Sequence, residues 1–327
     1  MLNVFITVDT EVWPNDLAGG PGEESFAAAF RRDILGRTKA GDYGLPLQLK
    51  IMNDHGIQAS FFVESLFASG MGAGALGDIT GMVEAAGHEV QMHLHPEWAQ
   101  AVPELQSLYN GGNNLQDYNK DQQYQMLKTG LDNLAAAGVP GPRAFRAGNY
   151  GAGFSTLKVL NSLGIEFDTS YNYCYLASDC DLQTSEPLLQ PSMLEGVLEF
   201  PVSFFQDWPG HYRHTQLTAC SFAELSAMLD QACDRGWSSF VIVSHGFELL
   251  NPARSAPDGV VRRRFEKLCA FIAANSDRMK VGMFKNLDVT AIGAGAEQEL
   301  LTSNMLRTAS RYAIQILRRL PRRPTLT

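Results

Sequence analysis

The run of residues at positions 3–9 most constrains the fold, because it is almost continuously β-branched or aromatic: Asn-Val-Phe-Ile-Thr-Val-Asp. Such runs are typical of strands buried on both faces, as in a parallel sheet. Further strand patterns follow at 57–63, 88–93, 165–169, 197–205, 239–244 and 279–284, and another short strand ends at Arg146. Helical patterns separate them, at 45–54, 78–86, 121–137, 154–163, 222–235 and 259–275. This order predicts an α/β fold with helical crossovers.

The number of strands favours closure of this sheet. About seven strands are countable, and no glycine fingerprint for a dinucleotide follows the first one. We therefore predict a deformed (β/α)7-type barrel over residues 1–290. In such a barrel the side chains at the carboxyl ends of the strands converge on one site. The polar residues at these predicted ends are Asp9, Glu11, His93, His95, Arg146, Asp168 and His245.

Composition excludes some classes of protein. The chain has 26 basic and 35 acidic residues, which argues against a nucleic-acid binder because such proteins present a basic surface. Five cysteines without zinc-finger spacing are typical of reduced thiols. With no recognisable signal peptide and no apolar run long enough to span a bilayer, the sequence predicts a cytoplasmic protein.

The segment at 87–98, Gly-His-Glu-Val-Gln-Met-His-Leu-His-Pro-Glu-Trp, predicts half of a metal site. It reads as a turn and a strand that stops at Pro96, which removes a backbone donor. Residues two apart in an extended chain point to the same side, so His93 and His95 can face one ion. Glu97 follows in a predicted helix that has Pro96 at its first position.

The end of the first strand supplies acidic groups. Asp9 and Glu11 follow an apolar strand, where carboxylates are costly unless they are paired or bind a metal. The alternative is that both residues only cap the next segment.

Together these residues suit hydrolysis of an amide. A divalent metal held by carboxylate and imidazole groups can polarise a carbonyl and bind a water. A second carboxylate can take the proton of that water, and a histidine can protonate the leaving amine. Arg146 can orient the basic carboxylate and keep it ionised.

Five segments resemble the polysaccharide deacetylase (NodB-homology, carbohydrate esterase 4) superfamily. They are Thr-Val-Asp-Thr-Glu at 7–11, Gly-His-Glu-Val-Gln-Met-His at 87–93, Phe-Arg-Ala-Gly-Asn-Tyr-Gly at 145–151, Gly-Ile-Glu-Phe-Asp-Thr-Ser at 164–170 and Ile-Val-Ser-His at 242–245. The resemblance covers about residues 3–250 and implies a deformed, NodB-homology-like barrel. It also implies that Asp9 is the general base, Arg146 its orienting partner and His245 the acid.

The same resemblance implies that Glu11 and His93 bind the metal, which we expect to be zinc. Thr10 stands where the family usually has a second aspartate, so the carboxylate ligand shifts to Glu11. Glu97 stands where the family has its second metal histidine, so either His95 or Glu97 completes the site. We favour His95, because imidazole suits zinc and the same-side geometry is available.

We therefore expect a metal-dependent hydrolase that removes an N-acyl group, most simply N-acetyl, from an amino sugar or glycan precursor. One alternative is a hydrolase of non-carbohydrate C–N bonds, of the allantoinase-like type, and another is a non-catalytic glycan-binding barrel. Expected substrate contacts are Trp98, Tyr150, Asp168 and Trp208, with Trp13 also near the site.

The C-terminal segment, residues 291–327, differs from the rest because it is basic and amphipathic in an acidic chain. It predicts a helical tail that makes a weak contact with a membrane surface. The alternative is a terminal helix packed on the barrel with a solvated basic end.

Overall fold

The fold comes from a computed structural model that describes residues 1–17, 20–289 and 299–319. The strands are β1 Leu2–Thr10, β2 Arg37–Thr38, β3 Gly41–Asp42, β4 Ser60–Glu64, β5 Glu89–Leu94, β6 Ala144–Ala147, β7 Phe167–Asp168, β8 Ser192–Leu194, β9 Val197–Glu199, β10 Phe204–Trp208, β11 His211–His214, β12 Ser239–His245, β13 Met279–Val281 and β14 Leu301–Thr302.

Helices lie between most of these strands, as the sequence pattern predicts. They are α1 Glu23–Ala29, α2 Leu45–Asp54, α3 Ala68–Met71, α4 Ala73–Ala85, α5 Lys120–Ala136, α6 Phe154–Ser162, α7 Phe222–Asp234, α8 Gly259–Ala274 and α9 Met305–Arg319. The predicted helix at 78–86 begins five residues earlier, at Ala73, because the positive φ of Gly72 breaks the chain just before it.

The main sheet has the strand order β12-β1-β4-β5-β6-β7-β9-β8, with β13 paired to the start of β1. Apart from the edge pair β8–β9, these pairings are parallel. The register sets the candidate residues level with one another. Asp9 lies opposite His245, and His93 lies opposite Glu64 on one side and Arg146 on the other.

The sheet curls into a deformed barrel, as predicted. Residues 200–203 bridge its two sides: the Phe200 N–H donates to the Asp168 carbonyl (2.7 Å), and the Ser203 N–H donates to the Val241 carbonyl of β12 (3.3 Å). The predicted strand at 197–205 is therefore two strands, β9 and β10. Pro201 lies between them and has no N–H for a regular ladder.

Aromatic side chains fill the barrel interior and form the floor of the site. Phe5, Phe62, Phe167, Phe200 and Phe284 belong to one buried cluster. Since side chains alternate along a strand, Asp9 shares the inward face of β1 with Phe5. The guanidinium of Arg146 lies 4.6 Å from the centre of the Phe62 ring. The strands thus place apolar groups below polar ones.

The C-terminal segment is attached to the barrel at its described residues. Strand β14 pairs with β10, and α9 follows it. Residues 290–298 and 320–327 lie outside the described part, so the domain boundary near residue 290 stays a prediction. Among the described helices none is long and apolar enough to cross a membrane.

Candidate active site

A buried ion pair joins Asp9 at the end of β1 to Arg146 on β6. Arg146 Nη1 lies 2.7 Å from Asp9 Oδ1. The rest of the guanidinium is also bound, because Nε donates to the Thr169 carbonyl (3.1 Å) and Nη2 to the Thr169 hydroxyl (3.2 Å). The carboxylate of Asp9 is therefore held in one orientation, with its Oδ2 atom left outside the ion pair.

Three further side chains converge next to this pair. The Nε2 atoms of His93 and His95 lie 3.0 Å and 2.7 Å from the same oxygen, Oε2 of Glu11. All three groups are buried, and their ligand atoms lie within 4.8 Å of one another. Burial opposes the charged form of Glu11, but His95 and His93 outweigh burial and hold its pKa well below its ordinary value.

The contacts of the His93 ring indicate that this group suits a cation. His93 Nδ1 lies 2.8 Å from the Arg146 carbonyl, so it carries the hydrogen. In the neutral ring Nε2 then holds a lone pair, and this lone pair faces the Glu11 carboxylate. Two hydrogen-bond acceptors, here His93 Nε2 and Glu11 Oε2, come within 3.0 Å of each other only when a proton or a cation lies between them. Two imidazoles and one carboxylate, with one histidine fixed through a backbone carbonyl, form a donor set that zinc uses in catalytic sites.

The converging group contains His95 and not Glu97. The strand continues in extended conformation to His95, which keeps its ring on the side of His93. Glu97 lies in the first turn of a 3-10 helix, Pro96–Ala101. Its Oε2 atom lies 3.4 Å from His95 Nδ1, on the far side of that ring from Glu11. Glu97 thus supports His95 and does not replace it.

His245 at the end of β12 completes the group. Its Nε2 atom lies 3.9 Å from both Asp9 Oδ2 and Glu11 Oε1, while its Nδ1 atom lies 3.1 Å from Glu248 Oε1. Gln216 also contacts Glu248 and the His245 ring. Burial lowers the pKa of His245, but the carboxylates around it, Glu248 foremost, outweigh burial and raise the pKa to about 9.

These residues open into a cleft of about 260 Å³. Aromatic and polar side chains form its remaining walls: Trp13, Asn149, Tyr150, Tyr175, Asp179 and Gln216. Trp13 Nε1 and the Tyr150 hydroxyl are buried without a hydrogen-bond partner among the described residues. Because unpaired buried polar atoms are costly, these two atoms are suited to bind a polar ligand in the cleft.

Two of the expected substrate contacts are wrong. Trp98 is fully buried, because the 3-10 helix after Pro96 turns its ring into the core, where Nε1 donates to the Val12 carbonyl (3.1 Å). Trp208 is half-exposed at the end of β10 and lines a different surface pocket, beside Met305 and Leu306. Neither tryptophan lines the cleft.

Asp168 is also placed differently from the expectation. Its carboxylate accepts hydrogen bonds from the hydroxyl (2.8 Å) and the N–H (3.1 Å) of Ser170, beneath the cleft. It also lies against the buried carboxyl of Glu199 on β9. Burial and the charge of Asp168 raise the pKa of Glu199 well above its ordinary value. The raised pKa favours the protonated form of Glu199 beside Asp168, and the pair contributes to the structure of the barrel.

We expect the substitution Glu199→Gln to increase stability at pH 8 but not at pH 4. The folded protein binds a proton at Glu199 that the unfolded chain releases above its normal pKa. The free energy of unfolding of the wild type therefore falls as the pH rises from the normal pKa of glutamate towards the raised pKa of Glu199 in the folded protein. The fall is at most about 1.4 kcal/mol per pH unit. Glutamine is neutral at every pH and removes this loss.

Urea unfolding at several pH values measures the effect. Glu195→Gln, at a surface position, is the control and should keep the wild-type slope of stability against pH. An unchanged slope in Glu199→Gln would show that the carboxyl pair does not share a proton.

Sequence reasoning missed several residues of the site, among them Glu64, Gln216 and Glu248. Glu64 ends β4 and accepts the N–H groups of Leu66 and His95. It carried the same signal as Asp9, a carboxylate directly after a buried strand, and burial raises its pKa to about 7. Glu248 and Gln216 hold His245, but nothing in their sequence surroundings marks them.

No protein-family model matches the chain, and no curated protein sequence matches it. Among solved structures, a proposed polysaccharide deacetylase from Mycobacterium smegmatis is similar at a TM-score of 0.54 and 16% identity, over 100% of this chain and 94% of that chain.

Two further structures are more distant. A family 4 carbohydrate esterase from Streptomyces lividans, in complex with acetate, has a TM-score of 0.44 at 12% identity, over 92% of this chain and 98% of that chain. A CE4 family pseudoenzyme from Bacillus anthracis has a TM-score of 0.43 at 12% identity, over 92% and 69%. The likeness to the Mycobacterium smegmatis structure, at 16% identity, shows that the two chains share a fold.

Proposed function

We propose that this chain is a metal-dependent deacetylase that hydrolyses the N-acetyl group of an amino sugar or glycan precursor. One observation carries the proposal: the cluster of Glu11, His93 and His95 opens into the same cleft as Asp9 and His245. A cation site, an oriented carboxylate and a histidine are the groups that hydrolysis of an amide needs. The likeness in fold to a polysaccharide deacetylase supports this chemistry by analogy.

The metal would be held by Glu11 Oε2 and by the Nε2 atoms of His93 and His95. We propose zinc, because two histidines and one glutamate are an established catalytic ligand set for that ion. When bound, it supplies a Lewis acid that polarises the carbonyl of the scissile amide. Glu97 and the Arg146 carbonyl hold the other sides of the two imidazole rings.

Asp9 is the proposed general base. Arg146 binds its Oδ1 atom and leaves Oδ2 to accept a proton from the attacking water. The ion pair is buried, so water competes little for either group. Asp9 can therefore act only in the orientation that Arg146 sets.

His245 is the proposed acid. Glu248 holds its Nδ1 atom, so Nε2 is the atom that faces the reacting groups, 3.9 Å from Asp9 Oδ2. From this position it can give a proton to the leaving amine. Glu248 acts through the histidine and is a positioning residue in this scheme.

The walls of the cleft favour a sugar. Trp13, Tyr150 and Tyr175 offer aromatic surface, and the unpartnered Trp13 Nε1 and Tyr150 hydroxyl can bond the hydroxyl groups of a sugar ring. None of the five cysteines forms a disulfide, which supports our proposal of a reducing, cytoplasmic setting and an intracellular glycan precursor as substrate.

Acetate release tests the proposal. The purified chain would be incubated with N-acetylated amino sugars that are free, nucleotide-linked or lipid-linked, with zinc added or chelated. We expect release from at least one class, lost on chelation and restored by zinc. His245→Ala should lose this activity, whereas His55→Ala, at the end of α2 and outside the cleft, should keep it. Absence of release from every class with zinc present would contradict the proposal.

A further inference from the structure

Helix α9 is attached to the barrel by its polar side. The side chain of Arg311 is buried, with Nη2 2.6 Å from Asp207 Oδ2 and Nε 3.0 Å from Glu224 Oε1. One turn earlier, the hydroxyl of Thr308 donates to the Asp207 carbonyl (3.0 Å). A buried arginine that binds two buried carboxylates fixes the rotation of the helix about its axis.

The opposite side of α9 is exposed and apolar. Its members follow helical spacing and are all solvent-accessible: Met305, Leu306, Ala309, Tyr312, Ala313 and Ile316. The exposed fraction is 82% for Leu306 and 61% for Ile316. A surface helix normally turns its apolar stripe to the core and its polar side to water. Helix α9 does the reverse, so its apolar face is available for something outside the described chain.

Trp208 extends this apolar face. Half of its surface is exposed, and it lines one surface pocket together with Pro209, Met305 and Leu306. We name Trp208, Met305, Leu306, Tyr312 and Ile316 the α9 face. These five are most of the large hydrophobic side chains that are exposed in the described residues. A concentration of exposed hydrophobic side chains in one place marks a surface that binds a partner.

The charge of the C-terminal segment indicates which kind of partner the α9 face binds. The sequence from 303 to 327 contains six arginines and no acidic residue, whereas the whole chain has a net charge of −9. An exposed apolar helix face with a tryptophan beside it, in a segment whose sequence is rich in arginine, has the composition of a helix that lies in the interface of an anionic bilayer. A second copy of the chain would instead bring the same positive segment against itself.

We propose that the α9 face docks onto the surface of an anionic phospholipid bilayer, with the helix lying parallel to the membrane. The contact is peripheral, because α9 is far too polar to cross. The hairpin of β10 and β11 links this face to the cleft: its Asp207 binds Arg311, and its His214 lies 2.8 Å from Gln216 in the cleft wall. The docking proposal is independent of the proposal that the cleft has deacetylase activity.

Flotation of the full chain with vesicles tests the proposal. We expect it to float with vesicles of phosphatidylcholine and phosphatidylglycerol, but not with phosphatidylcholine alone, and to dissociate in high salt. The double variant Leu306→Glu/Ile316→Glu should lose at least about tenfold in binding, because two carboxylates would enter the interface. Met193→Glu changes an exposed apolar residue on β8 and should bind as the wild type does.

Tryptophan emission gives a second readout. A shift to shorter wavelength on addition of anionic vesicles, lost in Trp208→Ala, is the expected result. Absence of flotation, or equal flotation of the double variant, would overturn the proposal. So would a dimer in sedimentation analysis that the double variant dissociates, because the α9 face would then be an interface between copies.

Discussion

Asp9→Asn is expected to lower kcat for acetate release by about 10²–10⁴-fold, the range in which loss of a general base falls. The amide cannot take a proton from water, but its oxygen can still accept the hydrogen bond of Arg146, so we expect the fold to persist. The measurement is the initial rate of acetate release on the best substrate of the panel, together with the circular dichroism of the variant.

The control for this variant is Asp132→Asn, which removes a surface carboxylate that pairs with Lys128 on α5. It should have the activity of the wild type. If Asp9→Asn kept wild-type kcat, Asp9 would not be the base, and the ion pair with Arg146 would have only a structural role.

Arg146→Met is expected to lower the free energy of unfolding by about 3–5 kcal/mol. The guanidinium is fully buried, so its removal leaves the Asp9 carboxylate inside the barrel without its cation. Two hydrogen bonds to Thr169 are lost as well. Urea unfolding measures the change, and the double variant Arg146→Met/Asp9→Asn should recover part of it, because the unpaired charge is then gone.

Arg37→Met is the matched control, since Arg37 pairs with Asp42 at the surface. There we expect no measurable change in stability, because water screens an exposed pair. Two results would show that the buried ion pair does not couple the two residues. One is an Arg146→Met variant as stable as this control. The other is a double variant whose loss of unfolding free energy equals the sum of the losses in the two single variants.

The sequence could predict the parts of the site that one strand encodes by itself. Alternation along β1 and β5 puts Glu11 with Asp9, and His95 with His93, on the inner face. Parallel order then brings the strand ends together, which the register of Asp9 with His245 confirms. The sequence pattern was also sufficient to predict six of the helices, α2 and α4 to α8, and the curled sheet.

The wrong expectations involve residues whose surroundings come from distant parts of the chain. Trp98 follows His93 and His95 closely, but a 3-10 turn directs it inward. Asp168 sits at a strand end, yet its environment is set by Glu199, which lies on the neighbouring strand. Local pattern carries no information about such partners. The same holds for Gln216 and Glu248, which meet at His245 only once the barrel has closed.

We propose above all that Glu11, His93 and His95 hold one divalent ion at the mouth of the barrel. The direct test is the zinc content of the purified chain after dialysis against buffered zinc, for the wild type, His93→Ala and the control His55→Ala. We predict about one ion per chain in the wild type and the control, and loss of the ion in His93→Ala. Either of two results would contradict this proposal: a wild type that binds no zinc, or a His93→Ala variant that still binds about one zinc ion per chain.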